Sequence, residues 1–527
     1  MVEFLISFVK KFLNKIRTFK FLFKISESDK FFLNFSKKKW KKNPEKIIKG
    51  EIITDILFDN LHIFHLSYIA NYFYINFDLV PKYFQIIHRE KFLLRFTFSF
   101  FRKFTRLHKL YMSFGSDFAF GQTKYKKSKT LLASISFKSK RDLLNFEIDN
   151  IRIGDLIYDT YLRTYSTSTV DLSDKNLSIM MLNALDVYFS CKEYLDNHNV
   201  KKIILSHAVY INYGILARLA MERGIDVYNP LQERVLHKLS LEHPYPTPQH
   251  YKYPKIFSKF SVKDQDNYRI EAKKIIENRL KGTIDNGIFY MPQSPFNDNL
   301  SKNPIFLNNG KPKVVVMLHC FYDAPHIYKD MIFEDFHEWF DFILSKSEAM
   351  DVDLVIKPHP NGKPYNENII NGFQRKYPKI RYIDKYTSNK QIISEGVSAL
   401  LSVYGSVATE FAYLGIPVLL AGDSPVEPYT FCYTAKNKED YEHCLLNMSD
   451  IKEKINFSKS NIQEFFFLHY IYNHMGRIKG NNDIFNWIPK YHRGSNNFLE
   501  LLSEEKKGEF DHAFNAFDEA LTQLDSN

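Results

Sequence analysis

Two short segments bring cationic, imidazole and hydroxyl groups to the ends of apolar runs. Lys357-Pro358-His359-Pro360 follows the apolar run Val352 to Ile356, and about forty residues on comes Ala399-Leu-Leu-Ser-Val-Tyr-Gly-Ser-Val-Ala-Thr-Glu410. The first places a cation and an imidazole at the carboxyl end of a strand, with prolines on both sides of His359 restricting its backbone. The second reads as a strand to Val403, a turn at Tyr404-Gly405, Ser406 as N-cap, and a helix over Val407 to Leu414 that Gly415 terminates before the strand Ile416 to Ala421. Open α/β sheets bind ligands at the carboxyl ends of their strands, and a helix N-terminus offers unpaired N–H groups to an anion. The pair is therefore expected to hold a nucleotide phosphate, through Lys357, His359, Ser402, Gly405, Ser406 and Thr409. Glu410, one turn further in, is expected to accept hydrogen bonds from ribose hydroxyls. Without Lys357 and His359 the second segment would read equally well as an ordinary capped helix.

Taken together, Lys357-Pro358-His359-Pro360, Gly405-Ser406-Val407-Ala408-Thr409-Glu410 and Leu414-Gly415-Ile416-Pro417-Val418 resemble the donor half of two-domain GT-B glycosyltransferases. The similarity is to bacterial capsule and lipopolysaccharide enzymes, including Kdo transferases and sialyltransferases that use CMP-sugars, and it covers roughly residues 311 to 425. It implies an α/β protein with two Rossmann-like domains facing a cleft, and a donor phosphate held by His359 and the Ser402/Ser406 region. It also implies stabilisation of the leaving group by donors and helix dipoles, without a metal or other cofactor. Retaining members often carry two glutamates eight apart. Here the positions eight before and after Glu410 are Ser402 and Val418, which implies inversion.

An inverting enzyme needs a base from the acceptor side. Asp159-Thr-Tyr161-Leu-Arg163 resembles the acidic, small, aromatic, apolar, arginine pattern around the proposed base of the capsule Kdo transferases, with Thr160 where those have glycine. Asp159 is thus the first candidate base and Arg163 a cleft residue. His207, just after the strand Lys201 to Leu205, and Asp155 are the alternatives, each equally readable as a structural group. His319, Asp323 and His326 follow the first strand of the second domain and are expected to border the cleft as sugar contacts. Their spacing lacks a fourth ligand, so no metal site is expected.

The elements that position these residues follow from length and pattern. At 527 residues the chain is too long for one ordinary core. Its 45% hydrophobic and 16% aromatic content is that of a folded protein. Expected units are a basic amphipathic leader at 1–49, an N-terminal Rossmann-like acceptor domain at 50–290, a linker at 291–312, a donor domain at 313–482 and a helical tail at 483–527. Strands are expected at Ile52 to Phe58, Tyr83 to Ile87, Lys201 to Leu205, Lys313 to His319, Leu354 to Ile356, Ile380 to Ile383, Ala399 to Val403 and Val418 to Leu420. Leu61 to Phe77 is uncharged but holds His62, His65, Ser67, Asn71 and Asn76, which suits a buried helix better than a membrane span. Ser261 to Lys281 reads as a charged amphipathic helix.

Of the net charge of +12, residues 1–49 supply most, with fourteen Lys or Arg against Glu3, Glu27, Asp29 and Glu45. Phe4, Leu5, Phe8, Phe12, Leu13, Ile16 and Phe19 recur at helical spacing among these lysines. That pattern suits docking of residues 1–40 on an anionic membrane, or a helix on the protein's own surface. It has no cleavage site of a signal peptide. Four scattered cysteines fit a reducing cytoplasm. No nucleic-acid motif is present. The expected protein is a cytoplasmic enzyme peripheral to the inner face of the cell membrane, using a nucleotide-sugar and a glycan or lipid-linked glycan acceptor. A CDP-polyol phosphotransferase of capsule or teichoic-acid type would share the phosphate site. A nucleotide-sugar 2-epimerase would share the strand-turn-helix without needing the leader, and a non-enzymatic membrane scaffold would explain only the charge.

Overall fold

The computed structural model describes residues 22–89, 91–229, 237–245, 250–285, 288, 291, 293–328, 331–360, 364–472, 498–499 and 502. The apolar-basic repeat at 4–19 and nearly all of the 483–527 tail lie outside the described residues.

Fourteen strands run along these residues: β1 Gly50–Thr54, β2 Leu79–Gln85, β3 Asp117–Gly121, β4 Glu147–Ile148, β5 Ile151–Arg152, β6 Val200–Ile204, β7 Asp226–Asn229, β8 His237–Lys238, β9 Lys313–Met317, β10 Asp353–Lys357, β11 Arg381–Tyr382, β12 Ala399–Ser402, β13 Val418–Leu420 and β14 Tyr433–Thr434. Five helices matter below: α1 Asn60–Phe77, α2 Phe92–Phe101, α3 Gly154–Tyr165, α4 Val262–Leu280 and α5 Ser406–Tyr413. Twelve of the strands form two six-stranded sheets, ordered β3-β2-β1-β6-β7-β8 and β11-β10-β9-β12-β13-β14. The second is parallel throughout and the first is parallel except for β7 with β8. Each sheet starts in its middle, winds outward one way, then crosses back to wind the other way. This is the doubly wound order, with a crevice where the direction reverses.

Parallel strands are covered on both faces, so they are short apolar runs. Every residue of β10, β12 and β13 is buried. The expected buried helix is α1, capped by Asp59, whose side chain accepts from the His62 N–H, and buried continuously from His62 to Tyr74. Among the described residues no helix is long and apolar enough to cross a membrane.

The expected domain boundary moves. Tyr253, Phe257, Ala272 and Ile276, the last two on α4, share a core with Val315, Leu400 and Phe411 of the second domain. The segment expected as a linker is fastened there too: the Asn389 N–H donates to Pro295 O at 2.8 Å, and the Ile305 and Phe306 N–H groups donate to Glu395 Oε2 at 2.8 and 3.0 Å. The described residues from 253 to 472 therefore build on the second sheet, and 291–312 is a strap on that domain. Amphipathicity reveals that α4 has an apolar face but not which sheet receives it. Near the far end, Phe498 stacks on Phe32 at 4.2 Å, bringing the chain back to the first domain.

The domains meet along α3. The Tyr158 hydroxyl donates to Asp335 Oδ2 at 2.5 Å, Arg163 Nη1 lies 2.9 Å from Asp323 Oδ1, and the Ser168 hydroxyl lies 2.9 Å from His337 Nδ1. Lys140 pairs with Glu338 at the same seam.

Candidate active site

A cavity of about 970 Å³, open mouth included, lies over the second sheet at the ends of β9, β10 and β12. Since the strand order reverses between β9 and β12, this is the sheet's topological switch point.

Lys357 closes β10 and is only 6% exposed. Its Nζ donates to Asn389 Oδ1 at 2.5 Å, a neutral partner. Burial brings its pKa down to about 8, against the pull of the Glu410 and Asp384 carboxylates. His359 lies two residues on in the same wall, and burial lowers it as well, opposed by Asp323 and aided by Lys357. His319 stacks on Phe336 at 4.7 Å, and burial, helped by His359, drives its pKa down to about 3. The Tyr404 N–H donates to His319 Nε2 at 3.4 Å and Ser402 Oγ lies 3.1 Å from the same nitrogen, so the neutral ring carries its proton on Nδ1. A buried lysine held by a neutral amide, beside two imidazoles that burial keeps toward their neutral form, suits an anionic ligand.

At the third strand end, Gly405, Ser406 and Val407 line the cavity at the start of α5. The helix cap differs from expectation: Gly405 is the N-cap and Ser406 is the first helical residue, so the Ser406 hydroxyl does not cap. The Ala408 N–H turns back to Gly405 O at 3.1 Å, and the N–H groups of Ser406 and Val407, both in the cavity wall, stand at the helix start for a ligand. Thr409 does not take part. Its Oγ1 is buried with no hydrogen-bond partner and the residue is not in the wall, because the helix turns it inward. Glu410 is in the wall, but its Oε1 already accepts from Arg279 Nη1 at 3.2 Å. Burial raises its pKa while Arg279 pulls it down. Any ribose contact by Glu410 therefore occurs with Arg279 of α4 in place. Asn389, Tyr386 and the strap residues Gln293, Ser294 and Asn297 also line the cavity. Nothing in the linker-like composition of the strap announces that role.

Anion binding must raise the pKa of Lys357, so affinity is coupled to pH. The expected result is full nucleotide affinity below about pH 8 and a fall of up to about tenfold per pH unit above it, as protonation must accompany binding. Calorimetry in buffers of different ionisation enthalpy checks this through proton uptake at pH 8.5–9, which Lys357→Met should abolish.

The acceptor-side candidates are placed differently. Asp155 is 1% exposed and forms a two-pronged pair with Arg218, Nη1 to Oδ1 and Nη2 to Oδ2 both at 2.6 Å. Despite burial, Arg218 holds its pKa below the usual carboxylate value. With both oxygens taken by Arg218 and its pKa lowered, it is a weak base and a structural anchor, which corrects its place among the candidate bases. Asp159, one helical turn on, faces the domain seam. Its Oδ1 lies 2.6 Å from His326 Nδ1 and its Oδ2 accepts the His326 N–H at 3.2 Å. His326 Nε2 donates to Glu334 O at 2.9 Å, so both ring nitrogens face acceptors and the Asp159 carboxylate raises the His326 pKa. Burial in turn raises the Asp159 pKa against the pull of that imidazolium. Beside this pair the Tyr404 hydroxyl donates to Pro325 O at 2.9 Å, which ties the wall of the second sheet's cavity to the seam. Arg163 and Asp323 pair across the seam, and the Tyr210 hydroxyl lies 3.4 Å from the same Asp323 oxygen. Of the four residues expected at the cleft, His319 lines the cavity, while Arg163, Asp323 and His326 join the domains.

His207 belongs to the first sheet's own switch point, between β1 and β6. Asp55 follows β1, and its Oδ2 accepts the Ser206 N–H at 3.1 Å and the Ser206 hydroxyl. Ser206 Oγ lies 2.8 Å from His207 Nδ1. Because that hydroxyl donates to Asp55 it accepts from Nδ1–H, which puts the basic lone pair of His207 on Nε2. A second cavity opens there, lined by Asp55, His88, Asn212 and Tyr213, and Tyr213 stacks with His207 at 5.7 Å. No motif links Asp55 to His207 across so many residues, and the relay is invisible in sequence.

Two doubly wound sheets, each with a cavity at its switch point, face one another across α3. The architecture is that of the GT-B fold. No family model matches the chain, and no curated protein matches it. Solved structures with a similar arrangement include the UDP-GlcNAc 2-epimerase of Neisseria meningitidis bound to UDP-GlcNAc, at 10% identity over 79% of this chain and 98% of that one, with a TM-score of 0.23. The β-Kdo 2,7 transferase KpsC of Thermosulfurimonas dismutans is 14% identical over 59% of this chain and 86% of that one, with a TM-score of 0.28. The wall teichoic acid polymerase TagF is 8% identical over 89% and 93%, with a TM-score of 0.21. The fold assignment rests on the strand orders, since likenesses of this size carry no argument about activity. Among the described residues no group of three or more His, Cys, Asp or Glu is arranged to hold a metal.

Proposed function

We propose that this protein transfers a sugar with inversion from a nucleotide-sugar donor to a hydroxyl of a surface glycan, the sugar being of the 2-keto acid type, such as Kdo or a sialic-acid-like sugar. The observation that carries the reading is the donor cavity. Lys357, His359, neutral His319 and the α5 N-terminus converge at one switch point, with a second domain opposite to present an acceptor. The acceptor oxygen attacks the anomeric carbon as the bond from that carbon to the phosphate oxygen breaks. The nucleotide leaves with the electron pair, and Lys357, His359 and the first N–H groups of α5 offset its charge without a metal. The acceptor proton passes to Asp159, whose raised pKa suits a base, once the acceptor takes the place of His326 at its carboxylate. A second reading gives that proton to His207 Nε2, favoured by the Asp55–Ser206 relay beside the first domain's cavity. The reading places the enzyme on the cytoplasmic face of a membrane, where nucleotide-sugars and lipid-linked glycans meet.

Thermal melts with CMP, CDP and UDP test the donor assignment, since a bound nucleotide stabilises the fold by an amount that rises with the logarithm of its concentration over Kd. One of them should stabilise the chain, and His359→Ala and Ser406→Ala should each weaken that effect while leaving the ligand-free melt unchanged. Stabilisation by none, or by all equally in both variants, removes the phosphate-site assignment. A product that retains the donor's phosphate would assign the protein to polyol-phosphate transfer instead.

A further inference from the structure

The first domain carries an apolar surface that the transfer reading does not use. Helix α2 and the 3-10 turn Arg102–Phe104 that follows it turn Phe96, Phe100, Phe101 and Phe104 to the outside, exposed by 48, 70, 45 and 61%. Thr97, between them, is buried. Phe98 is buried beside it and Ser99 is exposed, so the outer face is largely aromatic where that of a solvated helix is polar. The Phe96 and Phe100 rings lie 4.7 Å apart, so the side chains form one patch. Residues 91–116 contain six Lys or Arg and no acidic residue. Arg106 is committed to Asp29 and Asn60, but Lys91, Lys103 and Lys109 are exposed on the same segment.

We infer that this phenylalanine face of α2, with its lysine rim, docks on an anionic lipid bilayer, the rings entering the headgroup boundary and the lysines pairing with lipid phosphates. Ten residues of helix span about 15 Å, too short to cross a bilayer but suited to lying in its surface. Charge selects the bilayer over a second copy of this chain, because a symmetric contact would set the same lysines against one another. Location adds to the argument: Lys91, Leu94 and Phe98 also line the cavity that holds Asp55 and Tyr213. Docking therefore sets that cavity's mouth at the membrane surface. Leu22 lines it too. That the cavity then receives the hydroxyl of a lipid-borne acceptor rests on the transfer reading, whereas docking itself does not.

Insertion is read directly in the full chain by Phe100→Trp with phosphatidylcholine/phosphatidylglycerol vesicles carrying brominated acyl chains. Position 100 should show quenching above the signal of the parent's own tryptophans, and lose it in vesicles of phosphatidylcholine alone. The triple variant Phe96→Ser/Phe100→Ser/Phe104→Ser, which removes exposed side chains only, should melt as the parent does and partition to anionic vesicles roughly tenfold more weakly. No added quenching at position 100, or unchanged partitioning of the triple variant, overturns the proposal. A parent that self-associates through this face, with the triple variant monomeric and vesicle binding equal in both, assigns it to a contact between copies and overturns it as well. Each readout is independent of nucleotide binding, so failure here leaves the donor-site melts standing, and failure there leaves docking standing.

Discussion

Asp159→Asn should lower turnover by roughly two to four orders of magnitude while nucleotide affinity stays nearly unchanged, the range for loss of a general base. The substitution keeps shape and removes basicity, and the nucleotide pocket is built by the other domain. Asparagine can still accept the His326 N–H that Asp159 Oδ2 now accepts, so the seam should persist. The wild-type pH profile carries a second signature. Burial raises the Asp159 pKa, so the acid limb of kcat/KM should lie above the ordinary aspartate range. Transfer assays across pH, with calorimetry of the same variant, check both. Near-normal turnover in Asp159→Asn, with transfer lost in His207→Ala, would move the base to the Asp55–Ser206–His207 relay. Weakened nucleotide binding in Asp159→Asn would instead mark a seam defect.

The second large effect concerns stability. Arg218→Ala should cost about 3–5 kcal/mol, because it strands the Asp155 carboxylate in a site where it is 1% exposed. Arg218 also donates to Arg152 O at 2.6 Å, so one guanidinium holds both ends of the turn into α3. The sign with pH follows from the lowered pKa of Asp155. Its pairing stabilises the fold above the unfolded carboxylate pKa, and that contribution is lost as pH falls through the folded value. The gap between parent and variant in urea midpoint should therefore narrow in acid. A variant that matches the parent at neutral pH would show that the pair contributes nothing and return Asp155 to the catalytic candidates.

Asp155 and Asp159 also show what could be read ahead of the structure. They sit four apart on one helix, and in the sequence only a resemblance, not their surroundings, ranks Asp159 above Asp155. Their partners, Arg218 and His326, come from 63 and 167 residues away, one in the same domain and one in the other. Burial and partner charge decide a carboxylate's chemistry, and both are set by contacts of that range. Thr409 fails for a related reason: the helix was legible, but which of its faces met the cavity was not. The strap over the donor cavity carries the composition of a linker and is identified only by what it bonds.

Most of the second sheet was legible residue by residue: the strands β9, β10, β12 and β13, the Lys357-Pro358-His359-Pro360 turn and the helix after Gly405. Those features are local, written in short apolar runs, prolines and glycines that restrict a few neighbouring residues. Long-range packing set the rest: α4 on the second sheet, Asp159 paired across the domain seam, Asp55 and His207 sharing a serine, and Phe96, Phe100 and Phe101 of α2 turned outward. Each of these depends on which apolar face meets which, a choice made by the packing of distant segments and not encoded in the pattern of any one of them.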